Sequence, residues 1–314
     1  MQNGTAIQLL GLQKRYGVLT AVQSLDFSVQ RGEIFSLLGP NGAGKSTTIA
    51  MLSCLLSPTG GDARLMGHSI QSDPRAVKSM IGVVPQEIAM YEDLSGRQNL
   101  LFWGRMVGLR GDRLKRRIDE TLDLVELTDR QHDCAGHYSG GMQRRLNIAI
   151  ALLHEPQIVI LDEPTVGIDP QSRRKILDGV KELNRRGVTI LYTTHYMEEA
   201  QELSHRIAIL DHGRLIAQGT HAELVKMVGG QSRIRLTLSR KPAGLLAMWR
   251  TLPGVHSVSE ENGAASLLVK DSTLVLPTLF ESAARANVQV NAMELQEPDL
   301  EAVFLHLTGK ALRD

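Results

Sequence analysis

Short apolar runs alternate along the chain with longer stretches whose apolar residues recur every three or four positions, the pattern of strands interleaved with helices. Residues 6–12 and 22–29 alternate or cluster apolar side chains as strands do, and Arg31-Gly32 turns the chain into a third apolar segment, Ile34, Phe35, Leu37 and Leu38. That segment enters Gly39-Pro40-Asn41-Gly42-Ala43-Gly44-Lys45-Ser46 and then an apolar-periodic run to Leu56. Residues 33–56 are therefore expected to form a buried strand, a glycine-rich turn and a helix opening at Lys45. Pro58-Thr59-Gly60-Gly61-Asp62 is a turn, and Ile81-Gly82-Val83-Val84 is a strand ending at Pro85-Gln86. From 95 to 125 the pattern is helical, carried by Leu100, Leu101, Trp103, Met106, Leu114, Ile118 and Leu122. Ser139 is a good N-cap for a further helix. Ile158-Val159-Ile160-Leu161 suits a strand buried on both faces, and Asp169-Pro170 opens the next helix. A strand over 188–192, a hairpin over 206–217 and a closing helix over 220–228 complete this part.

Gly229-Gly230-Gln231-Ser232 reads as a linker. Beyond it the pattern predicts strand 234–238, helix 243–252, a strand pair around Glu260-Glu261-Asn262-Gly263, helix 274–286, strand 288–295 and helix 299–307. Strand, helix, two strands, helix, strand is the ferredoxin-like order. The expected organisation is an α/β nucleotide-binding domain over 1–228 with a helical subdomain at about 88–155, a linker over 229–233, and a small α+β accessory domain over 234–314.

Composition narrows the partners. With 314 residues, 35 basic and 34 acidic, the net charge is +1, which predicts no nucleic-acid footprint. No apolar run reaches the roughly 18–20 residues that span a bilayer, and the start MQNGTAIQLL lacks a basic n-region, so a cytoplasmic location is expected. Cys54 and Cys134 have no metal-like spacing, and Cys54 is expected on the helix after the glycine-rich turn.

The candidate chemistry lies where predicted strands end. Gly39 to Ser46 fits GxxxxGK[ST] in the required strand–turn–helix context: backbone N–H groups would cradle a polyphosphate, Lys45 would reach its β- and γ-phosphates, and Ser46 would ligate magnesium. Asp162-Glu163 at the end of a buried strand could supply a magnesium ligand and a proton acceptor for an attacking water. The other positions are open on spacing alone. Tyr16 could stack on an adenine or be a half-exposed loop tyrosine, and Gln86 could sense magnesium or be a solvated loop residue. Ser139-Gly140-Gly141 could be an anion-binding helix terminus or only a capped helix start. Asp169 could be a plain N-cap, and His195, after Thr193-Thr194, structural or a γ-phosphate contact.

Taken together, these motifs resemble the ATPase subunit of an ATP-binding cassette (ABC) transporter over roughly residues 5–228. Tyr16 stands at the adenine-stacking position, Gly39 to Thr47 as Walker A, and Gln86 as the glutamine loop. Ser139-Gly140-Gly141 is the signature, Asp162-Glu163 is Walker B with the catalytic glutamate, Asp169 is the loop aspartate, and His195 is the switch histidine. Each occurs once and in the family's order. The resemblance implies a P-loop NTPase core, ATP and Mg2+ as cofactors, and Gly39, Pro40, Asn41, Gly42, Ala43, Gly44, Lys45, Ser46 and Thr47 around the nucleotide. It implies Ser46, Gln86 and Asp162 around the metal, and Lys45, Gln86, Glu163 and His195 in catalysis. It further implies a composite site, in which the signature of one copy covers the ATP held by another, so a second copy or a homologous ATPase is required. A separate membrane permease, met at the cytoplasmic face of the membrane, completes the expected partners. Tyr138 and Met142 depart from the family's usual leucine and glutamine. The segment Glu297 to Phe304 is similar to the tails of daunorubicin-type and linearmycin-type exporter subunits. A cassette ATPase acting on ribosomes or DNA would usually show two cassettes or a coiled-coil insertion, and a kinase would lack the signature and switch histidine.

Overall fold

The computed structural model describes residues 4–227, 232–240, 243–261, 264–296 and 299–308. Most of the expected linker, the turn residues Asn262 and Gly263, and the start of the tail at Glu297-Pro298 lie outside the described residues. The chain divides into two compact units, Met1–Thr220 with Leu312–Asp314, and His221–Ala311.

The first unit holds two sheets. One is antiparallel and four-stranded, ordered Leu19–Gln30, Thr5–Tyr16, Gly60–Leu65, His68–Ser69. The other has six strands, ordered Arg214–Gly219, Arg206–Asp211, Ile34–Leu38, Thr189–Thr194, Ile158–Asp162, Ile81–Val84. All neighbours in it pair in parallel except the first two. Its three central strands are buried at every position, as suits their mostly apolar sequences. The helices Gly96–Met106, Gly111–Leu124 and Gly140–Leu152 form the expected helical region and share a core with the sheet through Leu100, Ile118, Leu146 and Val159.

Two local expectations are corrected. The first strand does not end near residue 12: it runs to Tyr16, paired with Leu19, so Tyr16 is a strand terminus rather than a loop residue. Bulges between Leu9 and Leu12 interrupt the alternation and hide the strand's continuation. The helix after the phosphate loop stops at Leu52, and Cys54 lies beyond it at φ 56°, half-buried.

In the second unit the sheet order is Val255–Glu261, Ala264–Val269, Ser232–Leu238, Val290–Gln296, antiparallel throughout, which is the ferredoxin-like arrangement. The helices Ala243–Trp249 and Ser272–Arg285 cover one face, with Trp249, Leu267 and Leu279 fully buried between. The helix His221–Met227, read from sequence as closing the first domain, groups with this unit and packs on Leu300–Thr308.

Candidate nucleotide site

The parallel register decides what meets at the carboxyl edge of the six-stranded sheet. Leu38 pairs with Thr194 and Asp162 with Thr193, so the loops that follow three central strands emerge side by side. The glycine-rich loop follows Ile34–Leu38 through a crowded passage. A Cβ on Gly39 would sit 2.3 Å from the Leu210 carbonyl oxygen, and one on Gly44 2.7 Å from that of Ala21. Gly42 and Gly44 also take φ of 81° and 99°, which side chains resist. Lys45 then opens the helix Lys45–Leu52 with its side chain 4% exposed. Its Nζ donates to the carbonyls of Gly39 at 2.6 Å and Pro40 at 3.0 Å and pairs with Glu163 Oε1 at 2.9 Å.

Glu163 follows the strand Ile158–Asp162 at φ 45°, a left-handed conformation that costs a non-glycine residue about 1–3 kcal/mol and concentrates at functional sites. Its other oxygen, Oε2, lies 3.1 Å from His195 Nδ1. One threonine orders both acidic neighbours: Thr193 Oγ1 donates to Asp162 Oδ1 at 2.7 Å and accepts from the Glu163 backbone N–H at 3.0 Å. The sequence shows a threonine pair before His195; only strand pairing reveals that Thr193 faces Asp162.

A cavity of about 640 Å3 opens beside Lys45 and Glu163, lined by Asn41 to Thr47, Tyr16, Gln86 and Glu163, and by residues the sequence did not single out, among them Leu19, Gln23 and His212. The volume is that of a small-molecule site. Tyr16 is 48% exposed, with the Lys14 ammonium 5.3 Å from its ring centre. The Ser46 hydroxyl, Asp162 carboxylate and Gln86 amide offer oxygen only, the donor chemistry of a hard cation such as Mg2+. Among the described residues no group of three or more His, Cys, Asp or Glu is arranged to hold a metal ion.

The remaining candidates form a second cluster. Ser139 caps the helix Gly140–Leu152, its Oγ accepting from Met142 N–H at 3.3 Å. A Cβ on Gly141 would be 2.1 Å from Ser172 Oγ and 3.6 Å from Asp169 Oδ2, so Gly141 abuts the start of the helix Pro170–Arg185 that Asp169 caps. Asp169 accepts from Ser172 N–H at 2.9 Å, which holds its carboxyl below the usual range. Ser139, Gly140, Gly141 and Asp169 do not line the cavity around Lys45, and neither do Gly39, Pro40, Asp162 and His195, of which Gly39 and Pro40 contact Lys45 and His195 contacts Glu163. The unusual Tyr138 is buried; its hydroxyl donates to the Arg130 carbonyl at 2.7 Å, and burial pushes its pKa up. Met142 contributes only its backbone N–H to the cap, and its side chain packs against the apolar core.

A phosphate loop, paired acidic residues and a histidine at one sheet edge, with a capped glycine helix start elsewhere on the same chain, define a cassette-type P-loop ATPase. The family profile described as ABC transporter matches residues 22–166. The chain is 44% identical over 310 residues to the Linearmycin resistance ATP-binding protein LnrL of Bacillus subtilis (strain 168), spanning 98% of this chain and 100% of that protein. It is 41% identical over 312 residues to the Daunorubicin/doxorubicin resistance ATP-binding protein DrrA of Streptomyces peucetius, spanning 98% and 94%. Among solved structures it is similar to an ATP binding subunit of an ABC transporter (TM-score 0.65, 30% identity, 72% of this chain and 94% of that one). It is also similar to a dimeric ATP-binding cassette in a post-hydrolysis state bound to ADP and Pi (TM-score 0.62, 26% identity, 68% and 98%). The chain belongs to the ABC transporter family, among its ATP-binding proteins.

Proposed function

We propose that this chain binds ATP and Mg2+ in the cavity over Lys45 and hydrolyses the nucleotide. Hydrolysis then powers export of a drug, antibiotic or lipid-like compound through a separate membrane permease at the cytoplasmic face of the membrane. The observation that carries this reading is the contact chain Lys45–Glu163–His195 at the carboxyl edge of the sheet. The resistance functions in the relatives' names support the export class. Among the described residues no helix is long and apolar enough to cross a membrane, in keeping with a permease on another polypeptide.

In this reading the loop from Gly39 to Thr47 wraps the phosphates with backbone N–H groups, and Tyr16 stacks on the adenine. Lys45 transfers its ammonium from Glu163 to the β- and γ-phosphates and stabilises charge that develops on the transferred group. Glu163, released from Lys45, takes a proton from the attacking water, with His195 holding its second oxygen and contacting the γ-phosphate. Ser46, Asp162 and Gln86 would hold Mg2+, which when bound neutralises phosphate charge. Ser139-Gly140-Gly141 and Asp169, which do not line their own chain's cavity, serve the ATP of a second copy or a homologous ATPase. A cleft beside Gln86 receives the permease. There Tyr91, 46% exposed, stands edge-on to Phe102 with ring centres 4.8 Å apart, an aromatic anchor for an amphipathic element.

Purification from detergent extracts tests the proposal. A membrane protein should copurify, and cells carrying the pair should resist the exported compound with the wild-type chain but not with Glu163→Gln. Copurification of ribosomes or DNA instead of a membrane protein would overturn it.

A further inference from the structure

Helix Gly140–Leu152 carries a buried cation that none of the motifs explains. Arg144 is 4% exposed and forms no ion pair among the described residues. Burial of a guanidinium without a carboxylate is costly unless its donors are met. Here backbone meets two of them: Nη1 donates to the Pro85 carbonyl at 2.6 Å and Nη2 to the Gln86 carbonyl at 2.5 Å. The fork thus grips two consecutive carbonyls directly after the strand Ile81–Val84, where the glutamine loop begins. Nε is buried with no hydrogen-bond partner among the described residues, so the two backbone carbonyls are the hydrogen-bond acceptors that orient the guanidinium. Burial lowers the arginine's pKa, opposed chiefly by the field of Asp162. The group therefore stands between the glutamine loop, the acidic strand end and the helix that Ser139 caps.

We propose that Arg144 is a positioning residue that clamps the Gln86 loop to the signature helix, so that nucleotide held by one copy sets the signature offered to the other. This rests on the roles of Gln86 and Ser139-Gly140-Gly141 proposed above. Gln86 lines the cavity with Lys45, whereas Ser139 to Gly141 do not, and Arg144 is on the same continuous helix as the signature glycines. When the backbone at Pro85-Gln86 moves, it must carry the helix with it or break two charge-assisted hydrogen bonds at once. A bidentate grip of this kind needs arginine: lysine offers a point charge without a planar fork, and methionine offers no donor.

The test uses the full chain and compares Arg144→Met, Arg144→Lys and Gln86→Ala. Arg144→Met should bind a fluorescent ATP analogue within about twofold of wild type while turnover falls about tenfold, and the Hill coefficient for ATP should drop from near 2 to about 1. Arg144→Lys should fall between Met and wild type, and it carries the same test if the Met variant does not fold. In the double variant Arg144→Met/Gln86→Ala the loss should not exceed that of the worse single change, as expected for residues acting in one unit. Unchanged turnover and cooperativity in both Arg144 variants, a wild-type Hill coefficient of about 1, or multiplying losses in the double variant would overturn the clamp. If Gln86→Ala and Ser139→Ala each hydrolyse ATP normally, the site reading fails and the clamp with it. If those two variants lose activity and the Arg144 variants do not, the clamp alone fails.

Discussion

In the unit that ends at Thr220, Lys45, Arg144, Arg145, Asp162, Glu163 and Glu199 are all at least nine-tenths buried, whereas the buried polar side chains described in the unit from His221 are Ser232, Ser266 and Ser272. Each buried charge in the first unit has fixed partners. Glu199 accepts from Thr165 at 2.7 Å, Tyr192 at 2.8 Å and Thr194 at 3.1 Å, and Arg145 donates to the carbonyls of Val125 at 2.6 Å and Glu126 at 3.0 Å. The second unit relies on apolar packing of Ile234, Leu236, Trp249, Leu267 and Leu279. Because an unpaired buried charge is far more costly than an exposed one, a fold accumulates such groups chiefly where chemistry uses them. The contrast sets a unit whose interior holds paired and hydrogen-bonded charges beside one whose described core is apolar.

Substitutions can break that contrast. The largest effect is expected from Lys45→Ala, which removes the ammonium proposed to reach the β- and γ-phosphates and leaves Glu163 buried without its lysine partner. Turnover of ATP by the purified chain should vanish and nucleotide affinity should fall. Wild-type hydrolysis would remove Lys45 from the site.

Glu163→Gln keeps the shape and loses the proton acceptor. Hydrolysis should fall by about 10²–10⁴ while ATP still binds, and gel filtration with ATP and Mg2+ should show a dimer. A monomer under those conditions would argue against both the shared site and the role of Glu163.

In the second unit the matching change is Trp249→Ala, which opens a cavity at a fully buried position and breaks the indole N–H donation to Ser282 at 2.8 Å. Denaturation of that unit should become easier by about 3–5 kcal/mol, with ATP affinity kept within about twofold. Loss of ATP binding would show that the two units are not energetically separate.

A smaller effect is expected from Tyr91→Asp: ATPase of the isolated chain should be nearly unchanged, and transport with the permease should be lost. Full transport would exclude this cleft as the coupling surface. The smallest is Tyr138→Phe, which removes the bond to the Arg130 carbonyl. Urea unfolding should report about 1 kcal/mol, with nucleotide binding unaltered. No change in stability would mean that water replaces the phenol at that carbonyl.

The phosphate loop can be read from local pattern alone, because glycines between an apolar run and a helix start are a local instruction: Gly42 and Gly44 need their positive φ wherever the loop is packed. The buried strands 34–38 and 158–162 were legible for the same kind of reason, since short, mostly apolar runs bounded by turn residues have few other uses. The ferredoxin-like order of the second unit was legible too, as element succession fixes it. Local pattern did not reach Tyr16, where bulges interrupt the alternation of the first strand, or the helix His221–Met227, whose grouping depends on contacts with Leu300–Thr308. Nor did it reach Thr193, Glu199 or Arg144. Those side chains matter through partners 31 residues away in Asp162, 34 in Thr165 and 58 in Gln86, and no periodicity along the chain records which strand will lie beside which. Parallel register decides that, and only the folded sheet has a register.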